Sequence, residues 1–147
     1  MSLITDKVFY NALRSNATLS ATVGGRIYST AIPVPDEQLA NEPLPYLIIS
    51  FDGLQNEGYT KDNSFEGDND KVTISIEIAA ESRDALGEIT ESVRQTIIEY
   101  FEDTESHAWD DYQYVPDEYN FTASGIQYDP DKPCYWQVLQ YVCDTNP

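Results

Sequence analysis

The stretch KVTISIEIA, residues 71–79, alternates without interruption between branched apolar side chains and polar ones. In an extended chain successive side chains point to opposite faces, so the four apolar residues share one face. They are Val72, Ile74, Ile76 and Ile78. The other face carries Lys71, Thr73, Ser75 and Glu77. The pattern predicts a strand in a sheet with one covered face and one wetter face, which is typical of antiparallel sheets.

A helical repeat follows this strand directly and could cover its apolar face. Ser82 is placed as an N-cap, and Asp84 lies in the first turn. Apolar residues then recur every three or four positions over about five turns. They are Leu86, Ile89, Val93, Ile97, Tyr100 and Phe101. A weaker helical stripe over residues 3–15, with a short second turn capped by Thr18 and ended by Gly24–Gly25, predicts a second helical region.

The remaining segments predict further strands and the connections between them. Residues 26–28 form a short strand, and four prolines exclude regular structure from most of 29–45. Residues 46–52 predict a strand, and the polar residues at about 53–70 predict a long hairpin loop. A final strand pair covers 119–128 and 134–143. The fold class is therefore α+β, a single domain over residues 1–147 with a mainly antiparallel β-sheet and about two α-helices packed on one face.

The charge of the chain limits its possible partners. It has 26 acidic residues against 8 basic ones, a formal net charge of −18. Tight binding of nucleic acid needs Lys and Arg side chains that displace counterions from phosphates, so we expect none. An acidic surface of this kind either serves solubility or lies near DNA without adhering to it.

Residues suited to catalysis or metal binding are few. His107 is the single histidine, and it stands among acidic residues in a segment typical of a surface loop. Acidic pairs such as Asp68 with Asp70 could hold a hard cation. A calcium-binding loop that begins at Asp62 does not fit the EF-hand pattern, because its twelfth position is Thr73 instead of a bidentate glutamate. We expect no catalytic, metal or cofactor-binding residue, and we predict that the chain is not an enzyme.

Cysteine usage and hydropathy bear on the compartment. Cys134 and Cys143 lie on one predicted strand, about 30 Å apart and on opposite faces, so they are expected to be free thiols in a reducing compartment. No apolar run approaches the roughly 20 residues that span a bilayer, and Asp6 and Lys7 interrupt any signal peptide. We therefore expect synthesis in the cytoplasm and no membrane partner.

The C-terminal strand presents large apolar side chains on both of its faces. One face carries Trp136, Val138 and Val142, and the other carries Tyr135, Leu139 and Tyr141. Because helices on one side of the sheet leave the second face uncovered, the pattern indicates assembly with other subunits.

The chain resembles the tail-completion, or tail-terminator, proteins of tailed bacteriophages. The resemblance extends from about residue 3 to 144, and its most specific parts are VGGRIY at 23–28, the Pro45–Tyr46 entry to a strand, and AAES at 79–82, where a strand passes into a helix. It implies a structural virion protein of the tail or neck, made in the host bacterial cytoplasm. Such proteins form a ring, typically a hexamer, that caps the tail tube and joins it to the head–tail connector.

The resemblance also suggests partners and contact residues. The partners are other copies of the chain, the tail tube protein and the head–tail connector protein, while DNA passes through an acidic bore without specific binding. Candidate contact residues are Arg26, Tyr59, Phe65, Tyr135 and Tyr141. Arg26 is expected to pair with an acidic neighbour, either within one subunit or across an interface. Alternative functions are another head–tail connector or neck component of similar fold, a ligand- or metal-binding enzyme with a deep pocket, and an acidic inhibitor that mimics DNA.

Overall fold

A computed structural model describes residues 2–29, 43–56, 69–102 and 118–145 of the chain. A 3-10 turn, Ser2–Ile4, precedes three α-helices: α1 (Thr5–Ser15), α2 (Ala17–Thr22) and α3 (Arg83–Glu102). Six strands form the sheet: β1 (Ile27–Ser29), β2 (Tyr46–Asn56), β3 (Asp70–Ala80), β4 (Glu118–Ala123), β5 (Gln127–Asp129) and β6 (Cys134–Thr145). The predicted α+β class is confirmed.

The strands form one mixed sheet in the order β1-β2-β3-β6-β4, and β5 also pairs with β6. β1 is parallel to β2, and every other pairing is antiparallel. β3 lies at the centre, where Ile76 is opposite Ile49 on one side and Leu139 on the other. Its central position agrees with the strong alternation of its sequence.

All three helices contribute to one core on a single face of this sheet. α3 supplies Leu86, Ile89, Val93 and Ile97, and the N-terminal helices supply Phe9, Ala12, Leu13 and Leu19. The sheet supplies Leu47, Ile49, Val72, Ile74, Ile76, Ile78, Leu139, Tyr141 and Cys143. The four apolar residues of the 71–79 repeat are each 0% exposed, so the prediction that helices cover that face is confirmed.

Side-chain caps begin two of the helices. Ser82 Oγ accepts a hydrogen bond from the Ala85 backbone N–H at 3.1 Å, as the sequence predicts for α3. The predicted cap of the second turn, Thr18, is wrong. Asn16 Oδ1 accepts instead from the Leu19 N–H at 2.9 Å, since a cap residue must precede the first helical turn and α2 begins at Ala17.

The hairpin between β2 and β3 has longer strands than the sequence predicts. β2 continues to Asn56 and β3 begins at Asp70, so the two ends of the expected 53–70 loop are paired strand. The pairing shifts by one residue between Phe51 and Gly53, which breaks the sequence alternation at the point where the strand was expected to end. Residues 57–68 lie outside the described ranges.

The predicted strand at 119–128 is two strands rather than one. β4 pairs Ala123 with Leu139, whereas β5 pairs Gln127 with Trp136, so one extra residue stands on the outer strand between them. Ser124 braces this bulge: its N–H donates to the Val138 carbonyl at 2.9 Å, and its Oγ accepts from the Val138 N–H at 3.0 Å. The bulge exchanges the faces to which odd- and even-numbered residues point.

Candidate interaction surface

A clamp around Arg26 joins two of the stretches on which the sequence resemblance depends. The Arg26 guanidinium donates from Nε to the Pro45 carbonyl at 3.0 Å and from Nη2 to the Leu44 carbonyl at 3.2 Å. The Arg26 carbonyl in turn accepts from the Leu47 N–H at 3.0 Å, which begins the parallel pairing of β1 with β2. The clamp therefore sets how the segment after α2 enters the sheet.

Glycine at position 24 is required by the clamp. Gly24 has a φ of 61°, which favours glycine, and a Cβ placed there would lie 2.5 Å from Arg26 Nη1. The guanidinium therefore lies directly against the turn that ends α2. Within the described ranges the hydrogen-bond partners of the Arg26 guanidinium are carbonyl oxygens of its own subunit, and its ion pair with an acidic neighbour stays a prediction.

The face of the sheet opposite the helices carries a second apolar cluster. We call this face the open face. Tyr46, Ala79 and Cys134 are its buried members, with exposures of 6%, 1% and 4%. Partly buried neighbours pack against them: Tyr28, Leu44, Ile48 and Trp136. The Lys132 ammonium lies over the Tyr46 ring, 5.1 Å from its centroid.

Glu77 lies in the middle of the open face between two apolar residues. It is opposite Ile48 of β2 and Val138 of β6. Because these neighbours exclude water without supplying a cation, burial raises the pKa of the Glu77 carboxyl above its ordinary value of 4.5. A partner that covers the open face at neutral pH therefore has to supply a hydrogen-bond donor or a cation to this carboxylate.

Two of the predicted contact residues can be placed on the strand β6. Tyr141 is 1% exposed and lies in the core beneath the helices, with ring centroids of Phe9, Tyr119 and Phe121 between 5.0 and 5.2 Å away. Its expected place on a contact surface is corrected, because the helix-covered face buries it. Tyr135 points to the same side but is only partly buried, so its role as a contact stays a prediction.

The two cysteines lie on opposite faces, as expected. Both are free, Cys143 in the core under the helices and Cys134 in the cluster on the open face. Burial raises the pKa of the Cys143 thiol to about 12, so it is not a reactive thiolate at neutral pH.

A groove open to solvent runs between the first half of α3 and β5. It consists of two depressions of about 330 and 780 Å³ that share Arg83 and Ile126, and we call it the α3–β5 groove. Tyr128 and Tyr135 line one depression, with ring centroids 5.1 Å apart. Gly87 lines the other with three carboxylates of α3. These are Asp84, Glu88 and Glu91.

Sequence reasoning did not identify this groove. An uninterrupted strand over 119–128 would have placed Tyr128 on the face opposite Phe121, whereas the bulge at Ser124 turns it onto the helix side beside Tyr135. Gly87 was available as a signal, because a glycine inside an amphipathic helix weakens the helix and often has a packing or binding reason.

Three residues considered from the sequence lie outside what the structure describes. They are Tyr59, Phe65 and His107. Within those ranges no group of three or more His, Cys, Asp or Glu side chains is arranged to hold a metal ion. No helix among the described residues has the length and hydropathy needed to cross a bilayer.

Comparison with known proteins places these features in a family. The model of the family described as tail completion protein gp17 matches residues 7–142. A comparison with curated proteins found no match. Among solved structures, a chain from the structure titled "Virion of native gene transfer agent (GTA) particle" has a similar fold, with a TM-score of 0.62. It is 13% identical in sequence, and the match covers 97% of this chain and 94% of that chain.

Proposed function

The chain belongs to the tail completion protein gp17 family, and from this membership we propose that it forms a ring, with six copies, that caps the tail tube and joins it to the head–tail connector. The family match over residues 7–142 is the observation that carries the proposal. Membership in this family makes the chain a structural protein of the phage tail or neck rather than an enzyme. The similarity in fold to a chain of a gene transfer agent virion supports a place in the virion.

The open face supports the assembly part of the proposal. Trp136 and Ile48 are only partly buried there, although the cluster they border is apolar. A neighbouring subunit that covered these side chains would remove apolar surface from water, worth about 25 cal/mol per Å². We propose that contacts between copies use this face.

The charge of the chain supports a bore through which DNA passes without specific binding. With 26 acidic and 8 basic residues, a ring of this protein repels phosphates from most of its surface. Acidic residues also occupy the exposed side of α3. Replacing carboxylates of the bore by amides is expected to slow DNA passage and lower infectivity, and unchanged infectivity would assign the charge to solubility alone.

Solution mass is the first test of the ring. One chain has a mass of 16.6 kDa, so a hexamer should have a mass of about 100 kDa by light scattering. Trp136→Gln on the open face is expected to shift the mass towards the monomer. Gln140→Ala, an exposed position on the same strand and face, is the matched control and should leave the mass unchanged.

Purified tail tubes provide the second test. Electron microscopy of tubes mixed with the protein should show one ring at one end of each tube and no further tube growth. A protein that stays monomeric and does not bind tubes would overturn the proposal. Binding to the connector alone would favour another neck component, and tight, salt-sensitive binding to a basic protein without a ring would favour an inhibitor that mimics DNA.

A further inference from the structure

We propose that the α3–β5 groove binds an extended segment of a different protein, one that carries an apolar side chain flanked by basic residues. The groove lies on the helix-covered side of the sheet, away from the open face. The proposal does not depend on ring formation.

The first argument is the shape of the groove. Arg83, Gly87, Ile126 and Tyr128 are all exposed, so the groove is an open channel and not an enclosed pocket for a small molecule. A Cβ added at Gly87 would meet nothing within 4 Å, so the space beside the helix there is open and a partner side chain can approach the helix backbone closely. Open space of this kind beside two tyrosine rings, tilted by 54° to each other, can take one apolar side chain of a partner.

The second argument is the free edge of the sheet along the groove. β5 pairs with β6 on one side, and no described strand pairs with its other side. Residues 122–128 are all exposed, and Ile126 and Tyr128 are 40% and 54% exposed. An extended partner segment could pair its backbone with this edge while its side chains enter the groove.

Specific hydrogen bonds stabilise the bulge at Ser124, which determines the face on which Tyr128 lies. Besides its two bonds to the Val138 backbone, Ser124 accepts from Gln137 Nε2 through its carbonyl at 2.8 Å. These bonds hold the register that pairs Tyr128 with Tyr135 across the two strands. A large, exposed ring is therefore kept on the groove side of the strand.

The third argument is charge, and it identifies the occupant. Three carboxylates and one guanidinium line the groove, and the whole chain carries a formal charge of −18. A basic segment is attracted by this field, whereas an acidic one is repelled. The chain cannot supply such a segment from a second copy, because its closest cations, Lys7 and Arg14, stand seven positions apart in helix α1.

The test uses a displayed library of random nonapeptides, selected on the whole protein. Selected peptides should share an apolar or aromatic residue with Lys or Arg on either side. Their affinities are then measured by fluorescence anisotropy. Gly87→Gln places a side chain in the open space beside the helix, and it should weaken binding more than 10-fold without loss of fold, since glutamine favours helix more than glycine does. Gly87→Ala adds only one carbon atom, so it should weaken binding less than Gly87→Gln does, and the comparison separates the size of the side chain from the stiffening of the helix.

A second pair of variants tests the charge. The double variant Glu88→Lys with Glu91→Lys should weaken peptide binding by about 3- to 20-fold, as expected for two exposed charge pairs. The double variant Glu99→Lys with Glu102→Lys makes the same change in net charge farther along α3. It should change the logarithm of the peptide dissociation constant by less than half as much. Equal effects would assign the binding to the overall charge and overturn the site.

Two further results would also overturn the proposal. One is a selection that yields no peptide able to distinguish the natural protein from Gly87→Gln. The other is a change in solution mass caused by Gly87→Gln, since that would show that a second copy occupies the groove.

Discussion

The buried hydroxyl of Tyr141 provides the most direct test of the core. Tyr141 is 1% exposed, and its Oη has no hydrogen-bond partner among the described residues. The cause is its position, because the rings of Phe9, Tyr119 and Phe121 surround it. Burial also raises the pKa of the Tyr141 hydroxyl well above its ordinary value of 10.

We expect Tyr141→Phe to stabilise the protein by about 1–2 kcal/mol, since leaving a buried hydroxyl unpaired costs about 1–3 kcal/mol. The phenylalanine ring can keep all three ring contacts, so little packing is lost. For a chain of this length the gain corresponds to a rise in Tm of about 3–6 °C. Urea unfolding followed by circular dichroism should show a higher midpoint with an unchanged m-value.

Tyr100→Phe is the matched control. The Tyr100 hydroxyl accepts from Asn11 Nδ2 at 3.2 Å, so its removal should destabilise the protein by about 0.5–1.5 kcal/mol. All proteins must be compared at one concentration, because assembly would add stability that depends on concentration. A Tyr141→Phe protein that is less stable than the natural one would refute the reasoning, since it would mean that the hydroxyl is paired.

Three further predictions concern other parts of the molecule. Gly25→Ala should destabilise the protein by about 1 kcal/mol because Gly25 has a positive φ. Gly24→Ala should lower stability further in thermal unfolding, because Gly24 also has a positive φ and an added Cβ meets the Arg26 guanidinium. Equal losses of stability in the two variants would contradict the clamp. Glu77→Gln should raise the free energy of unfolding at pH 7 and lose that advantage below about pH 4.5. The reason is that the pKa of Glu77 is raised in the folded protein, so the stability of the natural protein falls as this carboxyl ionises. Urea titrations that show the same gain at every pH would contradict this. Ser82→Ala should lower the free energy of unfolding by about 1 kcal/mol, because it removes the N-cap of α3. Amide hydrogen exchange in the first turn of α3 should become faster. Unchanged exchange would show that the cap does not hold that turn.

Much of the fold could be predicted because the signals are local. The alternation at 71–79 and the three- and four-residue repeat of α3 each depend on side-chain direction within one element, and both were confirmed. The candidate site was predicted less well. Tyr135 and Tyr141 of β6 were named from the sequence as candidate contact residues. Only the layer of helices determined that Tyr141 is covered and that Tyr135 stays at the edge of the groove.

The sequence by itself determined the long helix α3, the central strand β3 and which face of that strand is apolar. The tertiary structure alone decided that Arg26 binds the carbonyls of Leu44 and Pro45 and that β1 runs parallel to β2. It also decided that one extra residue near Ser124 turns Tyr128 towards α3. The physical reason is that periodicity is a property of neighbouring residues, whereas register, burial and hydrogen-bond partners depend on residues far apart in the chain.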